Sequence, residues 1–259
     1  MKKRSAIRFF AAAFLTAFFF ALDGGSDLKM LFQHRNAGET DVMYYSYMAF
    51  HYGLYHYMFL VFAMIPCGLG FCEEWKSGVF LMTLKRRGKR GYAVRMVLKG
   101  AFAGGGAAAF GYLLYVFFLR MFVPFYSPAG GNAVAFATLP FAGLLESGWG
   151  GLYFLLQAYF VFLTAAFFSG AAVYISFHLP NPYVALFSAF FCYRVVKEVG
   201  KMIRLPEALQ IPLLLGGEIR IGSECLTLAV MTGVVGCFLI WMIRRAKKVL
   251  QKRCEDGDV

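Results

Sequence analysis

Long apolar runs decide what this chain can fold into. Stretches near 96–121, 151–177 and 225–243 are almost free of charge and as long as or longer than the roughly 20 residues that an α-helix needs to cross a bilayer. A soluble core of a 259-residue chain has no room for them, because 60% of the residues are hydrophobic and only 15% are charged. A soluble domain carries roughly a quarter charged residues. The expectation is an all-α integral membrane protein, a single transmembrane domain over 1–259 with six spans, near 7–22, 54–72, 96–121, 151–177, 183–203 and 225–243.

The formal net charge of +12 invites a nucleic-acid partner, but the placement of the charge argues against one. Lys2, Lys3, Arg4 and Arg8 precede the first run, Lys76, Lys85, Arg86, Arg87, Lys89, Arg90, Arg95 and Lys99 separate the second from the third, and Arg244, Arg245, Lys247, Lys248, Lys252 and Arg253 follow the last. With alternating spans these clusters share one side, which is the positive-inside pattern. The expected partner is therefore the lipid bilayer. The layout is that of a multi-pass protein of a cell membrane, of the bacterial plasma-membrane kind, with both termini in the cytoplasm.

The segment 7–22 could also be the apolar core of a signal peptide, but no clear small-x-small site precedes Asp23, and it is taken as the first span. Residues 43–72 exceed one crossing. Their first half holds Tyr44, Tyr45, Tyr47, Tyr52, Tyr55 and Tyr57 with His51 and His56, so the crossing is expected at 54–72. The tyrosines form either an aromatic belt at headgroup level or a lateral entry surface for an amphipathic substrate, with Tyr52, Tyr55 and His56 as pathway residues. In the third span, Gly100 and Gly104 are spaced for close helix–helix contact. An outer loop follows at 122–148, and Pro180-Asn181-Pro182 ends the fourth span. The fifth meets Arg194, Lys197, Glu198, Lys201 and Arg204 early, charges that must face protein or water at membrane depth. Arg194 and Glu198 are spaced to pair on one helix face. Pro206, Pro212, Gly216 and Gly217 interrupt 205–216, which suggests a broken outer element between spans five and six.

The stretch 72–99 carries the most information. Carboxylates favour the N-terminus of a helix, so Glu73 and Glu74 are expected to open a short amphipathic helix reaching Leu84, after which the basic run 85–90, with Gly88 and Gly91, turns the chain toward the third span. An acidic residue, a glycine four positions on, a short apolar helix, then basic, aromatic and basic residues stand here as Glu74, Gly78, Phe80 to Leu84, Arg90, Tyr92 and Arg95. In this pattern and in its layout the sequence resembles the ABC-2 type permeases. The basic turn at 85–90 departs from the family, whose members often carry a Ser-Pro-like turn there.

The resemblance implies an amphipathic cytoplasmic coupling helix that docks on a separate ATPase subunit, with Glu73, Glu74, Gly78, Phe80, Leu81, Leu84, Arg86, Arg87, Arg90, Tyr92 and Arg95 at that interface. It also implies a second permease copy, identical or related, and a pathway between spans one, two and five of the two protomers. The chain has no Gly-x-x-x-x-Gly-Lys-Ser/Thr sequence, so no cofactor is expected on it, and ATP and magnesium belong to the partner. It would be a transport subunit and not an enzyme, and an amphipathic peptide, a lipid-like molecule or a drug suits such walls. The alternatives are a membrane protein without an ATPase, either a CAAX-type intramembrane protease or an immunity-type binding protein. The protease needs an Arg where Gly78 stands. Ser169-Gly170 is a weak partial match to a rhomboid-like serine protease and reads better as a packing pair. His34, His51, His56 and His178 show no metal spacing. Cys67, Cys72, Cys192, Cys225, Cys237 and Cys254 form no Cys-x-x-Cys pair and are expected to be small buried hydrophobes.

Overall fold

The computed structural model describes residues 2–23, 41–51, 53, 56–66, 68–127, 139–204, 210 and 221–255. These are mostly helical, with no strands among them. The helices are α1 (Lys2–Asp23), α2 (Val42–His51), α3 (Phe59–Phe62), α4 (Gly70–Lys76), α5 (Val79–Arg120), α6 (Ala142–Glu146), α7 (Gly150–His178), α8 (Pro182–Met202) and α9 (Glu224–Glu255), with a 3-10 turn at His56–Met58. Four helices among the described residues are long and apolar enough to cross a membrane, over Ser5–Asp23, Val79–Arg120, Gly150–His178 and Glu224–Cys254. They carry the expected spans 7–22, 96–121, 151–177 and 225–243.

The other two expected spans differ. The described part of 54–72 is not one helix. After α3 the chain tightens into turns at 63–66, where the Met64 and Ile65 N–H groups reach back only three residues, to the Val61 and Phe62 carbonyls. Pro66 is the physical reason, since it has no N–H to give and its ring crowds the carbonyl four residues earlier. The segment 183–203 does form a helix, α8, started by Pro182 in the first turn and by the Asn181 side chain, whose Oδ1 accepts the Tyr183 N–H at 2.9 Å. Arg194, Lys197, Glu198 and Lys201 in its second half keep it outside the apolar class. The broken outer element at 205–216 lies outside the described residues except for Gln210, as does 128–138 of the outer loop.

The centre of the bundle is the seam between α5 and α7, and glycine makes it narrow. A Cβ at Gly100 would stand 2.5 Å from Val173 Cγ2, and one at Gly104 would stand 2.6 Å from both Ser169 Oγ and the Ala63 carbonyl oxygen. At Gly111 it would meet the Ala13 carbonyl oxygen at 2.5 Å, so α1 packs into the same face. The expected close contact at Gly100 and Gly104 is therefore present, and the third glycine extends it to a second helix. Around it, Phe20 of α1 stacks on Tyr115 at 5.8 Å, and the Tyr112 hydroxyl shares a 2.8 Å hydrogen bond with Ser46.

Contacts sort the helix ends into two sets. At one end Asp41 caps α2: its Oδ1 accepts the Tyr44 N–H at 2.6 Å and its Oδ2 accepts the Ser127 N–H at 2.8 Å. Burial pushes this carboxyl up, while the N–H groups of Tyr44, Ser127 and Met43 pull it down. The Val42 N–H donates to the Pro124 carbonyl at 2.9 Å just past α5, and the Phe141 N–H donates to Glu224 Oε1 at the start of α9, 3.2 Å away. The other end, the basic end, gathers Arg8, Glu73, Tyr92, Phe177 and Arg253. Of the cysteines, Cys72 is buried as expected and Cys192 and Cys254 are half-buried, but Cys225 and Cys237 are exposed on α9. They lie on an outward face of that helix, which the apolar run alone does not distinguish from its inward one.

The seam predicts a clear contrast. Gly104→Val should lower stability by about 1–3 kcal/mol, the usual cost of overpacking, whereas Gly233→Ala on the open side of α9, where nothing lies within 4 Å, should leave it unchanged or raised. Thermal unfolding of the two variants in one detergent measures the difference.

Candidate functional site

The basic end is built on two glycines. Gly78 has φ 68°, in the left-handed region, and Gly88 has φ 72° and ψ 160°, a conformation open essentially to glycine alone. Between them, 79–87 forms a short helix of its own, set off from the long remainder of α5 by the bend at Gly88. This corrects the expected helix from Glu73 to Leu84. Both glutamates belong to α4, and the chain turns after them, because Gly78 is the residue there that can take the left-handed turn without strain. Gly91, also expected at the turn, is helical.

Phe80 and Leu84 point inward and are buried. Phe80 meets Trp75 at 5.2 Å, Tyr92 at 5.4 Å and Phe71 edge-on at 5.5 Å, and Phe71 meets Phe177 of α7 at 4.7 Å. Aromatic pairs in these geometries each add about 0.5–1.5 kcal/mol beyond the area they bury. The two short helices are thereby packed onto α5 and α7. Val79, Leu81 and Met82 turn the other way, and Met82 is 76% exposed. Of the expected interface residues, Glu73, Gly78, Leu81, Arg86, Arg87 and Arg90 are exposed, Glu74 and Arg95 are half-buried, and Phe80, Leu84 and Tyr92 are buried.

The neighbouring glutamates part company. Glu73 pairs with Arg8 of α1 at 2.8 Å on the surface, while Glu74 Oε2 accepts the hydrogen bond of the buried Tyr92 hydroxyl at 2.9 Å. The C-terminal helix closes the group. The Arg253 guanidinium lies 4.8 Å from the centre of the Trp75 ring and donates to the His178 carbonyl. Beside it a cleft of about 470 Å³ runs between the short helix and the end of α9, lined by Leu81, Leu84, Lys85, Gly88, Lys89 and Cys254. Phe71, Trp75, Phe177 and Arg253 were not singled out by sequence reasoning. The first three read as ordinary apolar positions, and Arg253 as one cation of a basic tail.

Of the expected pathway residues, Tyr52 and Tyr55 lie outside the described residues, and His56 is in the 3-10 turn with its side chain outside them. Beside them in sequence, Tyr57 meets α8. Its hydroxyl accepts from Lys197 Nζ at 2.8 Å, and its ring lies 5.1 Å from that ammonium and 5.4 Å from the Arg194 guanidinium. The expected Arg194–Glu198 pair forms at 3.9 Å. Compared with protein-family models, with curated proteins and with solved structures, the chain matches none.

The parting of the glutamates is testable. Tyr92→Phe removes a bond to a half-buried carboxylate and should cost about 1.5–3 kcal/mol, while Glu73→Ala breaks a surface pair and should cost less than about 1 kcal/mol. Denaturation in detergent of the two variants compares them directly.

Proposed function

We propose that the chain is the transmembrane subunit of an ABC-2-type exporter, driven by an ATPase on a separate polypeptide that supplies ATP and magnesium. The observation that carries this reading is the helix 79–87. It is anchored inward by Phe80 and Leu84, bounded by glycines at both ends, and turns Val79, Leu81 and Met82 outward among Lys85, Arg86 and Arg87. Apolar side chains on a firmly seated surface helix suit a protein partner, and firm seating suits force transmission better than a loose loop does. The helix 79–87 is the coupling helix in this reading, and Phe80, Leu84 and Tyr92 hold it in place without themselves meeting the motor.

The chain crosses six times in this reading. The two further crossings are α8 and the broken path 42–76, which leaves the end holding Pro124 and arrives at the end holding Arg8 and Phe177. Both termini then share the basic side, which the charge rule assigns to the cytoplasm. A second copy of the chain, or a related one, completes the pathway, and the cargo is an amphipathic molecule.

The test is co-purification of the detergent-solubilised chain with candidate Walker-type ATPases, comparing wild type with a Val79→Asp, Met82→Asp variant. Both side chains are exposed, so the fold should survive. An ATPase retained by wild type and lost by the variant is the expected result. One retained equally by both, or none at all, returns 79–87 to an ordinary basic connection.

A further inference from the structure

Among the described residues, the second half of α8 holds more positive charge than its neighbours balance. Tyr193 packs on Phe168 at 5.2 Å near the middle of both α8 and α7, so Lys197 lies about 6 Å further along the axis, at 1.5 Å per residue. There two cations share one ring. The Lys197 ammonium is 5.1 Å and the Arg194 guanidinium 5.4 Å from the centre of Tyr57, and Lys197 is also 5.9 Å from Tyr193. Among the described residues Lys197 makes no ion pair, and Arg194 has only Glu198, at a loose 3.9 Å. Like charges gathered on one ring disfavour each other, and charged groups at membrane depth must face protein or water. Yet the Arg194 and Glu198 side chains are 44% and 56% exposed.

The arrangement is therefore incomplete as a set of charges and well formed as a receptor. The Lys197 ammonium is oriented by the Tyr57 hydroxyl, the two tyrosine rings give it an aromatic wall, and the guanidinium beside it is open to one side. An anion placed between Arg194 and Lys197 would relieve their repulsion and take charge-assisted hydrogen bonds from both. The outward face of the same helix continues with Phe187, Phe191 and Val195, an apolar track suited to a hydrocarbon tail. We infer that Tyr57, Tyr193, Arg194 and Lys197 form a binding site for the anionic headgroup of an amphiphile, a phosphate or carboxylate carrying an alkyl chain. Its assignment as cargo rests on the exporter reading, but its binding does not.

Binding is read by native mass spectrometry of the purified chain, without any ATPase, so this site and the motor contact can fail separately. The probes are dodecyl phosphate, dodecyltrimethylammonium, inorganic phosphate and dioleoyl phosphatidylglycerol. Wild type should retain dodecyl phosphate and not the cation. Lys197→Gln and Arg194→Gln should each weaken retention by about tenfold or more, the scale of a lost hydrogen bond to a charged group. Tyr57→Phe, which keeps the ring and removes only the hydroxyl, should weaken it less and serves if the charge variants do not fold. Arg120→Gln, where the cation sits over Phe125 just past the end of α5, should change nothing. Displacement by phosphatidylglycerol would assign the headgroup to membrane lipid, displacement by inorganic phosphate to a free anion, and displacement by neither to a single-chain amphiphile. The first and third support the site as proposed, whereas displacement by inorganic phosphate overturns the amphiphile. No retention by wild type, or retention unchanged in Lys197→Gln, Arg194→Gln and Tyr57→Phe, overturns the site.

Discussion

The close approach of α5 and α7 is the constraint on which the rest of the bundle depends. Among helices in lipid the hydrophobic drive is weak, and association relies on van der Waals contact between surfaces that fit. Gly100 and Gly104 let the α5 backbone come against Val173 and Ser169, and Gly111 lets α1 come against the same helix. With this seam closed, α1 and α9 find matching surfaces beside it. The broken segment 56–66 is also placed by it, since the Ala63 carbonyl oxygen lies directly over Gly104. The irregular stretch is thus wrapped by protein, the condition under which non-helical backbone is tolerated at membrane depth.

Much of this arrangement was legible in the sequence because it depends on composition and local steric rules. The four long helices follow from uncharged runs, the start of α8 from Asn181-Pro182, and the close seam from the spacing of Gly100 and Gly104. The break in 54–72 was less visible. Pro66 stands inside an otherwise apolar run, and hydropathy does not register a missing N–H. The misplacement of the helix start at Glu73 has a similar origin. A carboxylate's preference for a helix N-terminus is worth a few tenths of a kcal/mol to about 1 kcal/mol, and the left-handed turn at Gly78 overrides it.

The candidate site was legible in outline and not in its depth. Cations between two apolar runs announce a surface position, and Arg86, Arg87 and Arg90 are all exposed. Which side chains hold the short helices in place could not be read from one dimension, because Phe177 and Arg253 arrive from helices that begin far along the chain. The aromatic partner of α8 was missed for the same reason. Tyr57 is one tyrosine among many between 44 and 57, and only the approach of Lys197 from a distant helix marks it.

The position of α4 has a consequence for the order of assembly. Within this seven-residue helix, Glu73 meets Arg8 of the first helix and Trp75 meets Arg253 of the last. Contacts between the two extremes of the sequence therefore converge on little more than half a helical turn. Closing so long a loop costs more entropy than closing a short one, although the cost rises only logarithmically with length. A chain made from its N-terminus can form the Arg8–Glu73 pair early, whereas Trp75 waits for the whole of α9. A chain interrupted anywhere before Arg253 lacks the guanidinium that covers Trp75.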